Sequence, residues 1–202
     1  MFNQDVALTE FDQQAFDNLW DTWLCETADP TITSPRYREG RYIQQDYTEV
    51  LELVKLLCEL KPQRALEIGN ACGGTTLVWQ LITPLVVSLD LYEIGSGDGV
   101  IVPEMFPRTK FFLGSSHDQS MLEQAKEFAP YDFLFIDGDH DTEGARMDYD
   151  MYAPLVREGG VVAFHDWGYH HVRAAIDSII QDTGQQPEVI QHSHFGIAVF
   201  RK

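Results

Sequence analysis

The residues equipped for chemistry recur at the ends of apolar runs. Leu66-Glu67-Ile68-Gly69 leads into Asn70-Ala71-Cys72-Gly73-Gly74, and Leu85-Val86-Val87-Ser88-Leu89 ends in Asp90, with Leu91 just beyond. Gly69 and Gly73 lack a Cβ, so a backbone turning there bends sharply and lets a ligand come close. Asp90 follows Glu67 by 23 residues, near the spacing at which α/β nucleotide sites set a carboxylate on a pair of ribose hydroxyls. Ser115 and Ser116 follow a third apolar run, Asp137 and His140 a fourth, His165 and Asp166 a fifth. Polar groups delivered by several separate runs to one edge are a stronger signal than any single motif. The glycines are spaced Gly-x-x-x-Gly-Gly, not the Gly-x-Gly-x-x-Gly of nicotinamide and flavin sites, which disfavours a dehydrogenase.

Helices must alternate with these runs to position their ends. Val50, Leu53, Val54, Leu57 and Leu60 give residues 46–61 one apolar face. Asp46 with Glu49 reads as a capping box, and Pro62 ends the helix. Further helices are expected over residues 74–81, after Asp118 as N-cap, over residues 142–155, and from Val172 to a stop at Gly184. Gly159 and Gly160 read as a turn into the fifth strand, Val161–Phe164. Residues 188–190 and 196–200 are close enough to pair as a final hairpin. Strands alternating with helices imply a doubly wound, mostly parallel α/β sheet that binds ligands beyond the carboxyl ends of its strands.

Residues 1–45 read as an N-terminal helical addition, with residues 46–202 as the main domain. Phe11, Ala15, Phe16, Leu19, Trp20, Trp23 and Leu24 form one apolar face, expected to pack on the domain; a lid or a homodimer contact is the sharper reading. Residues 27–40 form a polar connector, and Tyr37, Arg38, Arg41 and Tyr42 are placed to fold over a ligand. Residues 91–109, broken by Gly95, Gly97, Gly99, Pro103 and Pro107, read as a loop on the ligand side.

At 202 residues, 44% of them hydrophobic, the chain suits one packed domain. Its formal net charge of −18 repels a polyanion, which sets aside a nucleic-acid substrate. The apolar runs are too short to span a membrane, and no signal-peptide pattern opens the chain. Three cysteines (Cys25, Cys58, Cys72) share no metal or redox spacing, which favours a reducing, cytoplasmic setting.

The chain resembles the class I S-adenosylmethionine-dependent methyltransferases over roughly residues 46–202, and most of all a small-molecule branch with an Asp-Gly-x-His pattern after the fourth strand. Leu66-Glu67-Ile68-Gly69 with Gly73-Gly74-Thr75 is similar to the first motif of that family. Phe135-Ile136-Asp137-Gly138-Asp139-His140 and Gly159-Gly160-Val161-Val162-Ala163-Phe164-His165-Asp166 are similar to its fourth- and fifth-strand motifs. Ala71 departs from the pattern, since many members carry a third glycine there.

The resemblance implies roles. Glu67 anchors the turn or meets the methionine end of the cofactor, Gly69 and Gly73 let the backbone pass it, and Asp90 with Leu91 meets the ribose. Ser115 and Ser116 lie near the adenine, and Asp137 borders the cofactor. Asp137, His140 and His165 are candidate catalytic groups. Asp137, His165 and Asp166 are candidate ligands for a divalent cation, Mg2+ or Mn2+, with the histidine favouring manganese, iron or zinc. Structural readings stand beside these: Asp139 as a helix cap, His140 as a hydrogen-bonded turn residue, and His165 pointing away from the cleft. Trp167 and Tyr169 suit an aromatic wall for a planar or sugar substrate, and His170 is a substrate-loop candidate. The expected activity is methyl transfer to a small-molecule hydroxyl acceptor. The alternatives are the same fold and metal site doing hydrolysis or hydroxylation, or a non-catalytic nucleotide-binding protein.

Overall fold

The computed structural model describes residues 11–21, 43–93 and 103–202. The expectations for Trp23, Leu24, Tyr37, Arg38, Arg41, Tyr42 and the middle of the 91–109 loop lie outside them. Seven strands form one sheet: β1 (Arg64–Ile68), β2 (Leu85–Asp90), β3 (Thr109–Leu113), β4 (Tyr131–Ile136), β5 (Val156–Phe164), β6 (Glu188–Ile190) and β7 (Ile197–Arg201). Their order is β3-β2-β1-β4-β5-β7-β6. β1 to β5 run parallel, and β7 is antiparallel to both β5 and β6. The winding reverses between β1 and β4, where such sheets open a crevice for a ligand.

β4 is buried along its whole length, as a central strand covered on both faces must be. Its side chains alternate between two cores. Phe133 and Phe135 pack with Leu53, Leu57 and Trp79, under α1 (Gln13–Leu19), α2 (Tyr47–Leu60) and α3 (Gly74–Ile82). Leu134 and Ile136 pack with Met121, Tyr152 and Ile176, under α4 (Gln119–Lys126), α5 (Thr142–Tyr152) and α6 (His170–Thr183). Phe16, Leu19 and Trp20 are buried, and the Phe16 and Trp20 rings lie 5.5 and 5.3 Å from that of Tyr47. This described part of the N-terminal stretch is therefore packed into the core.

Three local expectations are corrected. β5 starts at Val156, not Val161. The glycines lie inside the strand at a register shift, and a Cβ on Gly160 would come within 2.9 Å of the Asp132 carbonyl oxygen. α5 stops at Tyr152 and tightens into a 3-10 turn, Ala153–Leu155, because Pro154 has no N–H to continue the helix. The capping box is only half made. Asp46 Oδ1 accepts from the Thr48 and Glu49 amides at 2.8 and 3.2 Å, but the Glu49 carboxylate turns inward. It is fully buried and accepts from the amides of His192, Ser193 and Gly196 at 2.7, 2.6 and 3.1 Å. The α2 acid thus clamps the β6–β7 loop. Glu49→Ala strands three amide donors, one buried and two part-buried, and is expected to lower the unfolding free energy by about 2–4 kcal/mol, read from urea denaturation; a loss under about 0.5 kcal/mol would contradict the clamp.

Candidate active site

The crevice starts at Gly69. Its φ of +84° is left-handed, and a Cβ there would stand 2.1 Å from the Asp137 carbonyl oxygen. The closeness is fixed by hydrogen bonds that tie the strand ends together: Gly69 N–H to the Leu89 carbonyl and Asp137 N–H to the Ile68 carbonyl, both at 2.9 Å. Ala71 also adopts a left-handed φ, +45°. The missing third glycine is thus a real departure, with strain on the order of 1 kcal/mol. Asp90 offsets it, since its Oδ2 accepts from the Asn70 and Ala71 amides at 2.9 and 2.8 Å, and its Oδ1 from Tyr92 N–H at 2.9 Å.

A cleft of about 900 Å³ opens beyond these strand ends, lined among others by Gly69, Asp90, Leu91, Ser115, Ser116 and Asp137. Two residues expected on the cofactor lie elsewhere. Gly73 caps α3 in a left-handed conformation, φ 85°, and lines no part of the cleft. Glu67 is fully buried beneath the turn. Its carboxylate accepts from the Thr76 hydroxyl, from Trp79 Nε1 at 2.9 Å and from the Ser88 hydroxyl at 2.8 Å. Of the two roles expected for Glu67, it performs the anchoring one.

Burial pushes the Glu67 carboxyl up to about 7, against the lowering effect of its hydrogen-bond donors. A carboxyl raised on folding contributes stability below its unfolded value of 4.5 and loses it as pH rises to about 7. The stability difference between wild type and Glu67→Gln is therefore expected to shift in favour of the variant by about 1–3 kcal/mol between pH 4.5 and 7.5. Thermal unfolding of both proteins across that range checks this, and parallel pH curves would contradict it.

Beside the cleft lies a smaller cavity of about 110 Å³. The two share Gln44, Gly69, Ala71, Asp137 and His140, and the smaller adds, among others, Gln45, His165, Asp166 and Phe195. Here the ends of β4 and β5 bring two acids and two histidines together. His140 Nε2 lies 3.3 Å from Asp137 Oδ1 and 2.9 Å from Asp166 Oδ2. His165 Nδ1 lies 3.2 and 3.5 Å from the same two oxygens. Asp137 Oδ2 accepts from Gln45 Nε2 at 2.6 Å. Asp166 is held at a left-handed φ of 60°, and its carbonyl accepts from Tyr169 N–H at 2.8 Å.

Charge dominates this cluster. Burial pushes the Asp137 carboxyl up, but the His165 charge and hydrogen bonds from both histidines outweigh it and hold it below the usual range. Asp166 is likewise held low, by hydrogen bonds from His140 and His165 against burial. Hydrogen bonds to Asp137 and Asp166 push His140 up to about 10. Burial opposes protonation of His165, but the charge of Asp137 and its hydrogen bond prevail and carry it to about 10.

The donors that converge for a cation are Asp137, His140 and Asp166, with one ligand atom from each within 4.8 Å of the others. His165, the histidine expected among the ligands, also faces both carboxylates. The His165 ring is buried and lies 5.4 Å from that of Phe195, and it buttresses both carboxylates. Gln45 and Phe195 carry no motif, and sequence reasoning passed over both. They reach the site only because α2 and the β6–β7 loop fold against the strand ends.

Residues 66–167, about half of the 202, match a family model described as a methyltransferase domain, and the chain belongs to that family. The matched stretch runs from β1 to just past β5 and contains both cavities' strand ends. No curated protein matches the chain. Among solved structures, the O-methyltransferase from Bacillus cereus, in complex with SAH, aligns with a TM-score of 0.63 at 18% identity, covering 79% of this chain and 83% of that one. Cofactor-bound Rv0187 from MTB aligns with a TM-score of 0.64 at 18% identity, covering 79% and 81%. MycE from the mycinamycin biosynthetic pathway, in complex with Mg, SAH and mycinamycin VI, gives 0.61 at 18% identity, covering 96% and 63%. In another MycE crystal form this chain covers 48% of that protein, about half its length. At these identities the likeness establishes the fold, a class I methyltransferase fold with a reversed C-terminal hairpin.

Proposed function

We propose that the protein transfers the methyl group of S-adenosylmethionine to a hydroxyl oxygen of a small molecule, with a divalent cation held by Asp137, His140 and Asp166. The observation that carries this reading is the junction of the two cavities at Asp137 and His140. One cavity is large enough for a nucleoside cofactor, and the other holds the ionisable groups. The SAH in the B. cereus enzyme and the Mg and SAH in MycE support it.

The donor set fits a cation. Ligands about 2.1 Å from an ion stand about 3 Å apart when they are neighbours, and the His140 nitrogen stands 2.9 and 3.3 Å from the two carboxylate oxygens. The cofactor supplies a sulfonium-activated methyl group. A cation would lower the pKa of an acceptor hydroxyl and orient two adjacent oxygens. Asp137 borders both cavities and places the reacting oxygen beside the methyl. His165 and Gln45 hold Asp137 in that position. In the empty site the two carboxylates favour protonation of both imidazoles, and a cation bound there would displace the proton from His140.

A small-molecule acceptor in a cytoplasmic setting completes the proposal. No helix among the described residues is long and apolar enough to cross a membrane, and the net charge of −18 disfavours nucleic acid. Methyl-labelled S-adenosylmethionine offered with catechols, vicinal diols and sugar alcohols tests the reading. We expect transfer to oxygen that is abolished by EDTA and restored by Mn2+ or Mg2+. Transfer untouched by EDTA would overturn the cation's part.

A further inference from the structure

Two backbone segments meet behind the acid–histidine cluster. The β6–β7 loop, residues 191–196, carries Phe195, which lines the small cavity and whose ring lies 5.4 Å from that of His165. The turn after β5, residues 165–169, carries Asp166 at its left-handed φ of 60°. The two are laced together by their main chains. Trp167 N–H donates to the Gly196 carbonyl at 3.1 Å, and Gly168 N–H to the Phe195 carbonyl at 2.5 Å. They approach so closely that a Cβ on Gly168 would stand 2.0 Å from the His194 carbonyl oxygen, and one on Gly196 would stand 3.3 Å from Trp167 Cβ. Asp166 has a short side chain, so a shift of this turn carries its carboxylate along.

The loop is held from its other side by Glu49. Glu49 Oε1 accepts from the His192 and Ser193 amides at 2.7 and 2.6 Å, and Oε2 accepts from Gly196 N–H at 3.1 Å. Gly196 is common to both sets of bonds, since its N–H meets Glu49 and its carbonyl meets Trp167. One residue thus joins α2 to the turn that bears Asp166. Four residues before Glu49, Gln45 Nε2 donates to Asp137 Oδ2 at 2.6 Å. Residues 45–49 therefore hold one anionic donor directly and the other by relay.

We propose that Glu49 is a positioning residue for the cation site, fixing through Gly196 the turn that carries Asp166 and hence the separation of the two carboxylates that receive the ion. This rests on the cation reading above. It gives the clamp of α2 on the loop a consequence for binding as well as for stability. Groups that hold metal ligands in place change affinity by about 10- to 100-fold when they are removed, because such sites need their donors within about 0.5 Å of the productive geometry.

Isothermal titration of S-adenosylhomocysteine, then of Mn2+ into the complex, tests it. Glu49→Gln keeps the volume and one accepting oxygen, but turns the other oxygen into a donor facing an amide N–H. It is expected to weaken Mn2+ binding at least about tenfold, while S-adenosylhomocysteine affinity stays within about threefold of wild type and reports that the variant is folded. Gly168→Ala attacks the same junction from the turn side, through the collision with the His194 carbonyl, and should show the same split. Because both act through one loop, the double variant should bind Mn2+ about as weakly as the weaker of the two single variants. Mn2+ affinity unchanged in Glu49→Gln, an equal loss of both ligands, or single-variant effects that multiply in full in the double variant would overturn the proposal. If wild type binds S-adenosylhomocysteine but no cation, the cation reading itself fails, and this one with it.

Discussion

Asp166→Ala is expected to abolish cation binding and lower kcat by about a thousandfold, while affinity for S-adenosylhomocysteine stays within about threefold of wild type. The separation follows from the two cavities. Asp166 lines the small one and is absent from the lining of the large one. Its carboxylate is one of three converging donors, and its Oδ2 holds His140 at 2.9 Å. Without it, Asp137 faces two histidines alone, and a divalent ion loses one of its two anionic ligands. Isothermal titration of each ligand and steady-state kinetics read the two effects separately. Equal loss of cofactor and cation affinity would mean that the variant has damaged the fold or that the cavities do not divide the work in this way.

Gly69→Ala is expected to reduce cofactor affinity at least about a hundredfold and to cost about 3 kcal/mol or more of stability. The new Cβ would stand 2.1 Å from the Asp137 carbonyl oxygen and 2.7 Å from Gly138 Cα, at a φ of +84°. Both atoms are backbone, and the Asp137 amide is tied to Ile68 at 2.9 Å, so nothing can swing aside. Relief must separate β1 from β4 at the floor of the cleft. Gly184 is the control. Its φ is +72°, but a methyl added there would have nothing within 4 Å. Gly184→Ala should therefore show only left-handed strain, about 1 kcal/mol. Comparable losses in the two variants would show that collision with Asp137 is not what demands glycine at position 69.

The sheet was legible in the sequence because its signals are local. Apolar runs ending in acids marked β1, β2 and β4, and Gly184 marked the end of α6. What misled was equally physical. Two glycines at 159 and 160 announce a turn when read alone, yet they sit inside β5, where the strand slips register against Tyr131 and Phe133. Asp46 and Glu49 have capping-box spacing, but three amides of the β6–β7 loop outcompete the box for Glu49. No local pattern encodes a contact across more than 140 residues.

The site was legible in part for the same reason. Asp137, His140 and Asp166 stand at strand ends and were found there. Both histidines flank the acids, but that His165 is buried beside Phe195 while His140 is exposed follows from tertiary packing that no local pattern encodes. Glu67 advertised itself as an acid at the end of a strand, but burial and three hydrogen-bond donors make it an anchor. Asp148 on α5 stands in no motif, and it is fully buried.

The central claim is that one cavity holds the methyl donor and the adjoining donors hold a cation. Calorimetric titration of S-adenosylhomocysteine into the protein, followed by Mn2+ and then Mg2+ into the complex, tests it most directly. Saturable binding of the cofactor product, and of one cation per chain that is lost in Asp166→Ala, is the predicted result. If S-adenosylhomocysteine does not bind, the account of the large cleft is wrong, and if it binds but neither cation does, the acid–histidine cluster has another use.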